Sequence, residues 1–244
     1  MTAGATHSII LKTMLADYFK NSRHLSVSLV MVLPLLVTYE LGLLAVGWQA
    51  LNGADLMTQQ LLARLGPDGF VIFNLMLILG FVGLVAYLRK QGSLDYRYFA
   101  PLLIESGIYA ILLGSIILFI MKKAFLLGAS DTAVHTSALT RIVISAGAGL
   151  HEELVFRLGL ISAISALWSR IPKVGGVKSA LPVAVVISSL LFSLAHYVVD
   201  SFAWYSFWYR MIAGFIFAGI YLGRGFAVAA YTHALYDMYV LLFR

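Results

Sequence analysis

Three stretches of this chain set ionisable side chains inside apolar sequence. Gly149-Leu150-His151-Glu152-Glu153-Leu154-Val155-Phe156-Arg157 holds two adjacent carboxylates and a guanidinium. Phe192-Ser193-Leu194-Ala195-His196 holds an imidazole, and Thr232-His233-Ala234-Leu235-Tyr236-Asp237 holds an imidazole and a carboxylate. In a membrane-spanning helix each of the three charges in the first stretch costs roughly 2.5–3.5 kcal/mol, about 7–10 kcal/mol together, unless they pair or face a wet cavity. Glu153 and Arg157 are four apart with the acid first, the favourable order for an intrahelical ion pair. Glu152 is left without a partner on its own helix. His233 and Asp237, also four apart, project from one helical face. A carboxylate with no partner on its own helix invites a chemical explanation, since intramembrane ionisable groups are functional by default.

The set argues against some neighbouring chemistries. A zinc metalloprotease helix of the His-Glu-x-x-His type needs a second histidine four after the first, and Val155 occupies that position after His151. Ser162 lacks a Gly-x-Ser-x-Gly setting and reads as a packing serine. The chain has no cysteine, which removes disulfides, thiolate metal sites and cysteine nucleophiles together. A single histidine near a helix end is more often interfacial, and His151 is read so. Glu40, Glu105 and Arg210 could snorkel, line a cavity or pair between helices, and no chemistry is assigned to them. The bland alternative for Glu152, His196, His233 and Asp237 is a polar network that glues helices together.

The elements that must hold these residues are membrane helices. Of 244 residues, 61% are hydrophobic and only 11% charged, against about 25% charged in soluble domains. The expected architecture is all-α, a polytopic bundle of seven to eight transmembrane helices around a polar intramembrane site. Runs long enough to cross the hydrocarbon core lie near Leu25–Trp48, Phe70–Leu88, Leu102–Met121, Ile142–Trp168, Leu181–Val199, Phe207–Gly223 and Phe226–Phe243. Ile9–Phe19 is shorter and mixed, as an interfacial helix would be. Pro34 should kink the first span; Gly147, Gly149, Gly214 and Gly219 suit close helix packing.

The net charge of +6 is read as cytoplasmic-loop lysine and arginine, with no nucleic-acid partner. Lys12, Lys20, Arg23, Arg89, Lys90, Arg97, Arg170, Lys173, Lys178 and Arg224 fall on one set of connections, against Arg64, Lys122, Lys123, Arg141 and Arg244 on the other, so a cytoplasmic N-terminus is expected; Lys122 and Lys123 oppose it. Glu152 and His196 then lie towards the non-cytoplasmic side. No cleavable signal peptide, internal repeat or linker is evident. The longest polar connections are Gln49–Gly69 and Lys122–Thr140.

Taken in order, Glu152-Glu153-x-x-x-Arg157, Phe192-x-x-x-His196 and His233-x-x-x-Asp237 resemble the motifs of the CAAX protease and bacteriocin-processing family. These are the Abi-type intramembrane proteases, which include the type II CAAX prenyl endopeptidases. The resemblance covers Arg141–Phe243 and divides the chain into residues 1–140, an amphipathic segment with three spans, and residues 141–244, a catalytic core of four. It implies an intramembrane endopeptidase in which Glu152 and His196 activate water. His233 and Asp237 would stabilise the oxyanion, and Glu153, Arg157 and Phe192 would support the site or hold substrate. Asp237 stands where the family often has asparagine. An ionised carboxylate there would repel an oxyanion, so Asp237 stays protonated, orients His233 as a triad aspartate does, or binds metal.

Glu152, His196, His233 and Asp237 form an oxygen and nitrogen set that zinc accepts, although the resemblance favours metal-free catalysis with no cofactor. The expected partners are membrane lipid and a peptide or protein substrate at the membrane: a lipidated C-terminus, a bacteriocin leader or a sorting tail. The expected location is the cell membrane, the inner membrane in a bacterium. The alternatives are a non-catalytic scaffold or immunity factor of the same fold and, less well supported, an ion-coupled transporter, since no second half matches the Glu-Glu span.

Overall fold

The computed structural model of the chain describes residues 3–46, 67–90, 96–124, 137–171, 177–198 and 200–243. Every regular element among them is helical. The connection 49–66 and most of 122–140 lie outside the described residues. The elements are α1 (Ala3–Asn21), α2 (Leu25–Met31), α3 (Leu33–Val46), α4 (Pro67–Lys90), α5 (Phe99–Ala124), α6 (Ala138–Gly147), a π-helix (Ala148–Ile161), α7 (Ser162–Trp168), α8 (Val177–Ala195), α9 (Trp204–Arg224) and α10 (Phe226–Phe243). Leu25–Val46, Phe99–Met121, Lys178–Val198 and Phe226–Phe243 are long and apolar enough to cross a membrane. The protein is an integral membrane protein on this evidence and on the family match reported below. The rod α6–π–α7 is not among those four spans and carries four charged residues, Arg141, Glu152, Glu153 and Arg157.

α10 is the axis of the bundle. Phe226 to Ala234 are buried without interruption, so the helix has no lipid face over that stretch and is hydrophobic all round, as a central helix must be. It packs against α2, α5, α6, the π-helix and α9. Ala227, Ala229, Ala230 and Ala234 let those neighbours come close. On α5 the buried residues include Leu102, Ser106, Ala110, Leu113, Ile117 and Met121, steps of three and four that trace one helical face. Ile104, Ile108, Ile111 and Phe119 are exposed on the other, apolar on both sides as lipid requires.

Two interruptions follow from residue type. Pro34 cannot donate a backbone hydrogen bond, and the first span breaks two residues ahead of it, at Val32, between α2 and α3. Gly225 joins α9 to α10 with φ 93°, a conformation glycine adopts at no steric cost. A Cβ there would also lie 3.1 Å from the Arg23 Cα.

α1, longer than the expected Ile9–Phe19, is clamped to that same end of the bundle. Arg224 donates from Nη2 to Glu105 (2.9 Å) and to Ser22 Oγ (3.2 Å), and from Nη1 to the Phe19 carbonyl (3.2 Å). Tyr18 donates to Glu105, and burial together with that carboxylate pushes its hydroxyl pKa up. Asn21 donates to the Tyr98 hydroxyl at 2.9 Å. Glu105 is thus an inter-helix partner, one of the roles the sequence left open.

Candidate active site

The segment that carries the acidic pair is not an ordinary helix. Ala148–Ile161 is wound as a π-helix between α6 and α7, hydrogen-bonded i→i+5 rather than i→i+4. This corrects the continuous α-helix expected over Ile142–Trp168; nothing in the residue types marks where the winding changes. Such segments recur at functional sites. Glycine makes the next contact: a Cβ on Gly149 would lie 2.6 Å from the Ala230 carbonyl oxygen, the Ala234 nitrogen and the Ala234 Cβ. The backbone of the π-helix therefore lies directly on α10, one turn from His233. Gly214 likewise faces Ser189, with a Cβ contact of 3.0 Å. Gly219 meets nothing within 4 Å, so its expected packing role is not borne out.

Glu152, Glu153, Arg157 and His233 are all buried. Arg157 Nη1 lies 3.2 Å from Glu153 Oε1, the pair expected from their spacing. The same oxygen is 2.8 Å from His233 Nδ1. The carboxylate oxygen accepts, so Nδ1 is the donor of this bond. The other ring nitrogen, Nε2, lies 3.4 Å from Asp237 Oδ2 and 3.9 Å from Glu152 Oε2. His233 is therefore flanked by carboxylates on both edges. The nitrogen that a triad aspartate would hold belongs to Glu153; Asp237 faces the working nitrogen, beside Glu152.

His196 approaches from α8. Its Nδ1 is 2.9 Å from the Phe192 carbonyl, which can only accept, so Nδ1 bears the hydrogen and Nε2 is the free edge. That edge points at Glu152 Oε2 across 3.9 Å. Both histidines thus present Nε2 to one carboxylate oxygen, at equal distances.

Aromatic rings hold the set. Phe192 lies edge-on to the rings of His196 (5.2 Å) and His233 (6.0 Å) and lies under the Arg157 guanidinium (4.2 Å). Phe217 stacks on His233 with centroids 4.3 Å apart and planes 19° from parallel. Ser188 donates to the Phe156 carbonyl (2.5 Å) and Ser193 to the Phe207 carbonyl (2.7 Å), tying α8 to the π-helix and to α9.

Glu152, Phe192, His196, His233 and Asp237 line one cavity of about 670 Å³. Its remaining wall includes Arg141, Asp200, Tyr205, Tyr209 and Arg210, none of which sequence reasoning assigned to the site. It reaches the end of the bundle opposite the α1 clamp, where Arg141 donates to the Leu241 carbonyl (2.6 Å). His151 is outside this wall: its ring sits edge-on to Tyr39 at 4.9 Å and its Nδ1 is 3.2 Å from the Gly147 carbonyl. Among the described residues no group of three His, Asp or Glu side chains is placed to hold a metal ion.

Apolar helices around a cavity lined by carboxylates and imidazoles define a membrane protein with a polar intramembrane site. A family model described as type II CAAX prenyl endopeptidase Rce1-like matches residues 134–239. That segment contains every residue lining the cavity except Leu118, Val240 and Leu241, and over it the chain is similar to the CAAX protease (CPBP) family. No curated protein and no solved structure matches the chain.

Proposed function

We propose that the chain is an intramembrane endopeptidase that hydrolyses a peptide bond with water activated by Glu152 and His196, without a metal. The observation that carries this reading is the convergence of His196 Nε2 and His233 Nε2 on Glu152 Oε2, each at 3.9 Å. That gap is too long for a direct hydrogen bond and matches two groups that share one water between them. Glu152 takes the proton of the attacking water while His196 Nε2 accepts its second hydrogen bond, and Glu152 returns the proton to the leaving amine.

His233 is the oxyanion donor. Held by Glu153 at Nδ1, it offers Nε2–H towards the cavity. Asp237 Oδ2, 3.4 Å from that nitrogen, serves to orient the ring. Glu153, Arg157 and Phe192 orient the ring rather than touch the substrate.

The bundle crosses the cell membrane seven times: once each by α2–α3, α4, α5, α6–π–α7, α8, α9 and α10, with α1 on the surface. The substrate is a peptide segment presented at the membrane, such as a lipidated tail, a leader or a sorting tail. The test is to express wild type and Glu152→Gln in the native host and compare the termini of membrane-associated proteins by mass spectrometry. New termini made only by the wild type are the expected result; identical profiles would sink the protease reading in favour of a scaffold of the same fold.

A further inference from the structure

Glu152 has a neighbour that the cavity does not use. His151 precedes it on the π-helix but turns away from the cavity to meet α3. There its ring sits edge-on to Tyr39 at 4.9 Å, and the next residue of α3, Glu40, is close enough for the two side chains to interact electrostatically. His151 Nδ1 lies 3.2 Å from the Gly147 carbonyl; a carbonyl only accepts, so Nδ1 bears the hydrogen. Gly147 is the last residue of α6 and Ala148 the first of the π-helix, so this bond spans the point where the winding changes.

α3 lies hard against that point. A Cβ on Gly42 would be 2.2 Å from Val143 Cγ2 on α6, and Tyr39 is buried in one cluster with Val143 and Leu150. The Tyr39 hydroxyl is buried with no hydrogen-bond partner among the described residues, so what the fold keeps there is the ring. Glu40 also lines an apolar cavity of about 540 Å³ walled by α3 and α4, a costly place for a carboxylate within a membrane span. A partner on the π-helix accounts for it.

Resting on the protease reading, we propose that His151, Tyr39 and Glu40 are positioning residues: α3 grips the imidazole and thereby fixes the turn of the π-helix that aims Glu152 into the cavity. A π-helix of 14 residues is far longer than the single turns in which that winding ordinarily occurs, so its surroundings must hold it. Rewinding it with i→i+4 bonds would change which way each of its residues faces. The grip acts one residue before the base. It comes from outside residues 134–239, the segment that matches the family.

The chain has no cysteine, so Glu152→Cys supplies a single thiol whose reaction with a small methanethiosulfonate reports how residue 152 faces the cavity, without catalysis. Added to it in the full-length protein in detergent, His151→Ala or Glu40→Gln should slow that reaction about tenfold or more. Tyr39→Phe, which keeps the ring, should not, and neither should Leu44→Ala at an exposed position of α3. With Glu152 in place, turnover is read on a peptide spanning a terminus found in the host comparison. His151→Ala should lower kcat by up to about 10²-fold, as an ångström of misplacement does, with KM nearly unchanged. His151→Gln, which keeps a donor for the Gly147 carbonyl, should recover part of the loss. Unchanged thiol rate and unchanged kcat in folded His151→Ala and Glu40→Gln overturn the proposal and leave proteolysis standing. Losses that only track a lowered melting temperature across all variants, Leu44→Ala included, overturn it in favour of plain packing. A slowed thiol in a chain that cleaves nothing supports the positioning role while counting against the protease reading.

Discussion

The site is a charge arrangement before it is a shape. One imidazole, His233, has three carboxylates around it, and one carboxylate, Glu152, has two imidazole nitrogens at 3.9 Å. Removing the base while keeping its size isolates the chemistry: Glu152→Gln should lower turnover by about 10²–10⁴-fold, the range for a general base, with the melting temperature nearly unchanged. Near wild-type activity would remove Glu152 from that role. Arg157→Ala acts on the other half of the arrangement. It leaves Glu153 buried with His233 as its remaining partner, a loss of up to about 3–5 kcal/mol by the scale of broken buried pairs, and also frees the Phe192 face. A melting temperature in detergent equal to wild type would refute the pairing. If catalysis is metal-free, as proposed, a strong chelator should leave the rate unaltered; silencing that zinc then restores would overturn that part of the proposal.

At the scale of elements, catalytic geometry depends on how closely the π-helix lies on α10. Gly149→Ala forces a Cβ to within 2.6 Å of the α10 backbone, so the two elements must separate. We expect a loss of about 1–3 kcal/mol, as in overpacked cores, and about 10²-fold in activity, since misplacement by an ångström has that effect. Gly219→Ala is the matched control on a helix with open space around the position. It should be neutral or gain up to about 1 kcal/mol from reduced backbone freedom. Equal behaviour of the two variants would show that the close contact is not what positions His233.

The comparison of sequence and structure is instructive at this scale. Glu152, His196, His233 and Asp237 were legible because ionisable groups in apolar runs stand out by their cost, and Glu153–Arg157 because its spacing is the pairing rule itself. Phe217 and the Arg141, Asp200 and Tyr205 wall were not. One phenylalanine in an apolar helix looks like any other until its ring is seen lying flat on His233, and residues at helix ends look like ordinary anchors. The π winding was invisible because it changes hydrogen-bond partners without changing residue types. The reading of Gly219 failed for the complementary reason: a small residue permits contact but does not supply a neighbour.

At the scale of the whole molecule, the distribution of basic residues predicts the side of the membrane on which the cavity opens, although Lys122 and Lys123 count against it. Arg23 donates to the Leu222 carbonyl and Arg224 to Glu105, so these basic residues gather with the α1 clamp at one end; chain alternation brings Arg89, Lys90, Arg97, Arg170 and Lys178 to that end as well. The cavity reaches the other end, beside Asp200 and the Leu241 carbonyl. An excess of lysine and arginine marks the cytoplasmic face, so the cavity should open on the non-cytoplasmic face. The absence of cysteine makes this directly measurable with single cysteines. Ser201→Cys, in the exposed turn beside the cavity, should react with a membrane-impermeant maleimide in intact cells, whereas Lys90→Cys should react only after permeabilisation. That outcome requires a substrate presented on the outer side, a leader or an exported tail. The reverse pattern would mean that the lysine and arginine excess does not govern insertion here and would admit lipidated cytoplasmic tails, leaving the chemistry at Glu152 unchanged.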